Sequence, residues 1–118
     1  MRILIVEADA GLAGVWSRHL ERLGCKVERA ATQGAAVAAL QHQPVDVIVL
    51  DLTLEQGSAF AVADFASYRQ PAARVIFVTR SSFFSDGSIF NLVPNACGFF
   101  AAETPPEDLA VIVRHYAD

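Results

Sequence analysis

The chain has 118 residues, of which 53% are hydrophobic and 19% charged, with a formal net charge of −4 and a pI near 5.2. This size and balance predict one compact domain over residues 1–118, and the acidic charge with one lysine, Lys26, argues against direct binding of nucleic acid. No apolar run approaches the roughly 20 residues of a membrane span, and Met1-Arg2 followed by a predicted strand is too short for a signal peptide, so we expect a cytoplasmic protein without membrane attachment.

Five short runs rich in β-branched and aromatic residues predict strands. They are Arg2–Val6, Cys25–Arg29, Val45–Leu50, Arg74–Val78 and Cys97–Ala101. Segments with helical periodicity alternate with them, namely 10–23, 33–42 after an N-cap at Thr32, 57–68, a short irregular helix within 81–95, and a last helix after Thr104. This alternation predicts an α/β fold, a doubly wound five-stranded parallel sheet with helices on both faces.

Two of the predicted strands are each followed directly by an acidic residue. Glu7 follows Ile3–Val6, and Asp51 follows Val47–Leu50. The carboxyl ends of parallel strands meet at one edge of the sheet, where α/β proteins carry their sites. Paired carboxylates at that edge suit a hard cation or a phosphoryl group.

Four segments of the chain together carry a family resemblance: Arg2–Asp9, Asp46–Asp51, Val75–Thr79 and Gly98–Phe100. In order and spacing they resemble the receiver domain of bacterial two-component response regulators, over essentially the whole chain. The resemblance implies a flavodoxin-like, receiver-like (βα)5 fold with strand order 2-1-3-4-5. It also implies a phosphorelay signalling module rather than an enzyme.

The resemblance assigns candidate roles to five residues. Asp51 is the candidate phosphoacceptor, served by a histidine kinase or a phosphotransfer protein. Glu7, Asp51 and the carbonyl of Thr53 are the candidate ligands of Mg²⁺, and Thr79 would hydrogen-bond the phosphoryl oxygens. Phe99 stands at the position of a switch aromatic, which reports to the face of the fourth helix, fifth strand and fifth helix. A homodimer through that face is the assembly that the resemblance suggests.

The departures from the family pattern are equally specific. Ala8 replaces the second acid of the metal-binding pair, and Ala102 replaces the lysine that would pair with the phosphoryl oxygens. We therefore expect Mg²⁺ to bind weakly or not at all. Asp9 lies one position too far along and is expected to cap the first helix. Arg80 has three interpretations: it covers the phosphoryl site, binds the phosphate, or points to solvent or to a carboxylate such as Glu103.

Two versions of the signalling function remain open. In one, Asp51 is phosphorylated slowly or only in a complex with its kinase or phosphotransfer protein. In the other, the chain is a pseudo-receiver that binds another signalling protein without phosphorylation. The losses at Ala8 and Ala102 favour the second version, whereas the retained Asp51, Glu7 and Thr79 favour the first. We favour the second.

Two other classes of protein also have a functional acid or a glycine-rich segment after a buried strand. A phosphatase of the haloacid dehalogenase type needs a second Asp two residues after the first, and Thr53 stands there. A flavodoxin-like cofactor-binding domain would use Gly11–Gly14, which lacks the full glycine fingerprint. Copurification of a flavin or nucleotide would distinguish the second class from a receiver.

Overall fold

A computed structural model of the chain describes residues 1–54, 56–79, 93 and 95–117. Its sheet is parallel with the order β2-β1-β3-β4-β5, as predicted. The strands are β1 (Arg2–Val6), β2 (Lys26–Ala30), β3 (Val47–Asp51), β4 (Arg74–Thr79) and β5 (Ala96–Ala101). Within the described residues there are four helices: α1 (Ala10–Arg22), α2 (Gln33–His42), α3 (Ala59–Arg69) and α4 (Pro106–Ala117). The helix predicted between β4 and β5, and Arg80, lie outside the described residues, so α4 is the predicted fifth helix.

Apolar layers cover both faces of the sheet. Alternate residues of a strand point to opposite faces, so Leu4 and Val6 pack in a layer with α2 and α3, whereas Ile3 and Ile5 pack in a layer with α1 and α4. Strand β3 is the most enclosed, with all five of its residues buried. Each apolar side chain buried in this way contributes roughly 1.5–3 kcal/mol. The centre of the sheet therefore fixes the position of the residues that follow its strands.

Two strands begin later than the sequence predicts. The N–H of Cys25 donates to the carbonyl of Leu20 (3.2 Å) at the end of α1, so Cys25 completes the helix turn rather than the strand. The N–H of Val45 donates to Oε1 of Gln70 (2.8 Å) instead of to a neighbouring strand. A side chain 25 residues away thus takes the place of the strand pairing that the apolar run suggested.

Side-chain caps set the starts of three helices. Asp9, Thr32 and Ser58 each accept a hydrogen bond from the backbone N–H three residues later, at 3.1, 3.1 and 3.3 Å. Asp9 is therefore the helix cap that the sequence predicted. Helix α3 begins later than predicted because Gly57 has a φ of +99°, which a right-handed helix does not allow. None of the described helices is long and apolar enough to cross a membrane.

Candidate functional site

Three buried polar side chains meet at the carboxyl edge of the sheet. Val6 of β1 pairs with Leu50 of β3, so Glu7 and Asp51 occupy the next positions on neighbouring strands. Asp51 pairs with Val78 of β4, and Thr79 follows directly. The exposed fractions of Glu7, Asp51 and Thr79 are only 3%, 1% and 4%. The fold thus brings together the acids and the hydroxyl that the sequence singled out.

Thr53 holds one oxygen of the Asp51 carboxylate with two donors. Its backbone N–H and its side-chain hydroxyl each donate to Oδ1 of Asp51 at 2.8 Å. Hydrogen bonds to an ionised acceptor are roughly twice as strong as neutral ones. The hydroxyl contact was not predicted from the sequence, although an Asp side chain commonly bonds the backbone two residues later. The Asp-Leu-Thr spacing is the signal that points to it.

The Glu7 carboxylate is also approached by a backbone donor. The N–H of Asp9 points to Oε2 of Glu7 at 3.4 Å, a long contact. The Glu7 backbone N–H donates to the carbonyl of Ala30 (3.0 Å), which continues the pairing of β1 with β2 by one residue. A buried carboxylate is costly unless donors or cations compensate it. Backbone and hydroxyl groups therefore supply part of the compensation at this edge.

The two alanines lie where the sequence analysis placed them. Ala8 is half-buried between Glu7 and the capping residue Asp9. Ala102 follows the β5 residue paired with Thr79, and its N–H donates to the Thr79 carbonyl at 2.8 Å. Its methyl group packs against the apolar layer of α1 and α4. Neither side chain offers an oxygen ligand or a positive charge to the site.

The groups at this edge match a magnesium site only in part. Glu7, Asp51 and the Thr53 carbonyl supply two carboxylates and one carbonyl, which are ligand types that Mg²⁺ uses. Within the part of the chain that the structure describes, no group of three or more His, Cys, Asp or Glu side chains could hold a metal ion. The ligand set therefore fits a weakly held cation.

Phe99 lies on β5 opposite Phe77 of β4. It is half-buried and packs against the layer of α2 and α3, whereas Phe100 packs against the layer of α1 and α4. The two rings thus alternate across the strand, as a strand with both faces covered requires.

The structure disfavours both competing classes. The Thr53 hydroxyl, which stands where a haloacid dehalogenase has its general acid, donates to Asp51. Gly11 and Gly14 lie inside α1 rather than in a loop after β1. A phosphate-binding glycine loop needs backbone N–H groups that precede the helix interior. The segment therefore lacks the geometry of a dinucleotide fingerprint.

Comparisons with known proteins agree on one family. The family model described as response regulator receiver domain matches residues 3–113. The photosynthetic apparatus regulatory protein RegA of Rhodobacter capsulatus is 31% identical over 77 residues, 65% of this chain and 42% of that protein. The match thus spans less than half the length of that relative.

Solved structures give the same result. A CheY-like response regulator receiver domain protein from Methanospirillum hungatei has a TM-score of 0.88 and 26% identity, over 99% of this chain and 93% of the other. A response regulator from Burkholderia pseudomallei, solved with a phosphorylated aspartic acid, calcium ion and citrate, has a TM-score of 0.84 and 22% identity, over 98% and 68%.

Proposed function

Because the chain belongs to the response regulator receiver domain family of two-component signalling, we propose that it acts mainly as a phosphorylation-independent pseudo-receiver through protein–protein interaction. Asp51 is its retained phosphoacceptor, with slow chemistry. One observation carries the proposal: Asp51, Glu7 and Thr79 remain buried at the carboxyl edge, while Ala8 and Ala102 stand at the two positions that would neutralise charge there.

The chemistry left to Asp51 follows from its hydrogen bonds. The two Thr53 donors hold Oδ1 in place, and we assign the attack on the phosphorus atom to the Asp51 carboxylate. A new O–P bond forms as the bond between phosphorus and the phosphohistidine nitrogen of the partner breaks. Thr79, buried beside the acceptor, would donate its hydroxyl hydrogen to a phosphoryl oxygen. Positioning of the acceptor is thus intact.

Neutralisation of the transferred group is deficient. Phosphoryl transfer depends on positioning and on stabilising the charge spread over the equatorial oxygens. Glu7, Asp51 and the Thr53 carbonyl would hold Mg²⁺, which would neutralise part of that charge. A charge-assisted partner is worth on the order of 1.5–3 kcal/mol. The losses at Ala8 and Ala102 together correspond to a rate lower by several orders of magnitude.

The proposed partners are a histidine kinase or phosphotransfer protein, or another signalling protein. We further propose that residues 1–118 form a single receiver domain and that this domain is not an enzyme. We propose that the contact involves the face of β5 and α4, and Val111 on α4 is 60% exposed. A homodimer through this face is one form of that contact.

Intact-protein mass spectrometry after incubation with acetyl phosphate and Mg²⁺ tests this function. We expect at most a trace of a single phosphoryl adduct at times when a fully equipped receiver is saturated, because the charge partners are missing. The Asp51→Asn variant, which has nearly the same shape and no nucleophilic carboxylate, is the control for the site of modification.

The outcomes separate clearly. An adduct that forms slowly and is absent from Asp51→Asn agrees with a retained but inefficient acceptor. Rapid, stoichiometric modification of the unaltered chain would contradict the proposal and would make Asp51 the working switch of the domain.

A further inference from the structure

We propose that a hollow between α1 and the edge strand β2 binds a phosphate-type oxyanion, at a site separate from Asp51. The hollow has a volume of about 260 Å³. It is lined by Gly14, Ser17, Arg18, Glu21, Val27 and Arg29. Neither Glu7 nor Asp51 contributes to it, so this inference does not depend on the proposed phosphoacceptor chemistry.

The position of Arg29 follows from the strand pattern. Arg29 is two residues after Val27 on β2, so both side chains point to the face that α1 covers. Val27 packs against the apolar layer of α1 and α4. Arg29 lies farther along the strand, and the hollow opens on an edge strand. The long side chain can therefore keep its apolar stem against the protein and its guanidinium at the surface.

A glycine in the middle of α1 makes room for this guanidinium. A Cβ atom on Gly14 would lie 3.3 Å from Nη1 of Arg29, tighter than ordinary van der Waals contact. Glycine inside a helix costs about 1 kcal/mol relative to alanine. The Arg29 guanidinium therefore rests against α1 at the position where Gly14 has no side chain. Gly14 forms one wall of the hollow.

The charges of the hollow are not neutralised by one another. Across the described part of the chain, Arg18, Arg29 and Glu21 form no ion pair within 4.0 Å and no side-chain hydrogen bond. Two guanidinium groups against one carboxylate leave a local excess of positive charge in a chain whose net charge is −4. Guanidinium forks match the oxygens of phosphate in a bidentate geometry.

The lining also indicates the size and kind of anion. Ser17 is 6% exposed and adds a hydroxyl to the wall of the hollow. None of the six lining residues is aromatic, so no platform exists for stacking a nucleotide base. The volume is below the range of roughly 300–1,000 Å³ for small-molecule pockets. A single phosphate group, either as the free ion or on a side chain of a partner protein, fits this description.

Titration of the full chain by two-dimensional ¹⁵N NMR tests the proposal with two probes, inorganic phosphate and a phosphoserine peptide. We expect saturable shifts of the Gly14, Ser17 and Val27 amide signals with either probe. Arg29→Gln and Arg18→Gln should each weaken binding by at least about fivefold, since each removes a charge-assisted donor. Glu21→Gln should strengthen it, because a repelling carboxylate is removed.

A matched control comes from the same helix. Arg22 is exposed, lies on α1 and does not line the hollow, so Arg22→Gln should leave the affinity unchanged. Tighter binding of the phosphopeptide than of phosphate identifies a phosphorylated partner as the source, and equal binding identifies the free ion. Absence of saturable shifts, or shifts that survive both Arg18→Gln and Arg29→Gln, would overturn the proposal.

Discussion

The two edges of the sheet use polar side chains in opposite ways. At the amino edge, Gln70 joins the end of α3 to the loop between α2 and β3. Its Nε2 group donates to the carbonyls of Leu40 (2.8 Å) and Gln43 (2.6 Å), and its Oε1 accepts from the N–H of Val45 (2.8 Å). One neutral side chain thus satisfies three backbone groups, which favours stability.

At the carboxyl edge, two of the buried polar side chains are carboxyl groups, those of Glu7 and Asp51. Glu7 and Asp51 are held by donors from Asp9 and Thr53, and neither Ala8 nor Ala102 adds a cation. Burying a carboxylate costs free energy that an apolar residue would not. The polar contacts of the amino edge therefore favour stability, whereas the carboxyl edge retains two carboxylates at a cost in stability.

The largest expected effect comes from restoring the missing charge partners. Ala8→Asp together with Ala102→Lys should raise the rate of Mg²⁺-dependent phosphorylation by acetyl phosphate by on the order of 100-fold or more. The rate is measured by intact mass over time.

Ala8→Asp with Ala102→Met is the matched control, because methionine has length without charge. No gain from the Asp/Lys pair would show that the lost groups do not explain the slow chemistry, and Arg80 would be the next residue to change.

Gln70→Glu removes the side-chain N–H donors at the amino edge while keeping the shape of the side chain. The variant retains an oxygen for Val45 but loses the donors to the carbonyls of Leu40 and Gln43, so the free energy of unfolding should fall by about 2 kcal/mol. Urea denaturation followed by the fluorescence of Trp16, the single tryptophan and fully buried, measures it. Gln41→Glu on the exposed side of α2 makes the same charge change, and an equal loss there would refute the role of Gln70.

Thr53→Val tests the side-chain hydrogen bond to Asp51 at the carboxyl edge. Loss of the hydroxyl donor to Asp51 should lower the free energy of unfolding by about 1 kcal/mol without Mg²⁺. The affinity for Mg²⁺ should rise, because a less satisfied carboxylate gains more from a cation. Calorimetric titration measures the affinity. Thr53→Ser keeps the hydroxyl and should behave like the unaltered chain; if it behaves like valine, the hydrogen bond is not the cause.

The smallest effect concerns Cys97, near the amino end of β5. Burial raises the pKa of this thiol above its ordinary value of 9.0, although the nearby Arg74 acts in the opposite direction. Because the folded chain binds the thiol proton more tightly than the unfolded chain, this contribution to stability is complete below pH 9 and declines as the pH rises further. Alkylation of Cys97 should therefore be slower than that of a model thiol at pH 8, and an equal rate would contradict the raised pKa.

Much of the fold could be predicted because its signals are local. The continuous apolar run of β3 and the caps at Asp9 and Thr32 mark their elements by neighbouring residues alone. The contacts of Gln70 could not be predicted, since they join residues 25 to 30 positions apart and leave no periodicity. At the site, the strand ends located Glu7 and Asp51.

The Thr53 hydroxyl contact illustrates the limit at the site. The resemblance to a receiver gives Thr53 a role only through its carbonyl, because the rotamer that turns the hydroxyl to Asp51 cannot be read from the spacing of the residues. The hollow beside Gly14 could not be predicted from the sequence for a similar reason. In the sequence, Gly14 is only a weak helix former. Its proximity to the guanidinium of Arg29 on β2 is evident only in the structure.

The most direct test of the account is a titration of the unaltered chain with Mg²⁺, and then with Mg²⁺ and beryllium fluoride, followed through the amide signals of Asp51 and Thr53. If hydrogen bonds, and only weakly a cation, stabilise the Asp51 carboxylate, Mg²⁺ should not saturate the site at millimolar concentration. Addition of the fluoride should then give no defined complex. Saturation at micromolar Mg²⁺, with a new set of signals after fluoride addition, would contradict this prediction and restore the site to a working phosphorylation switch.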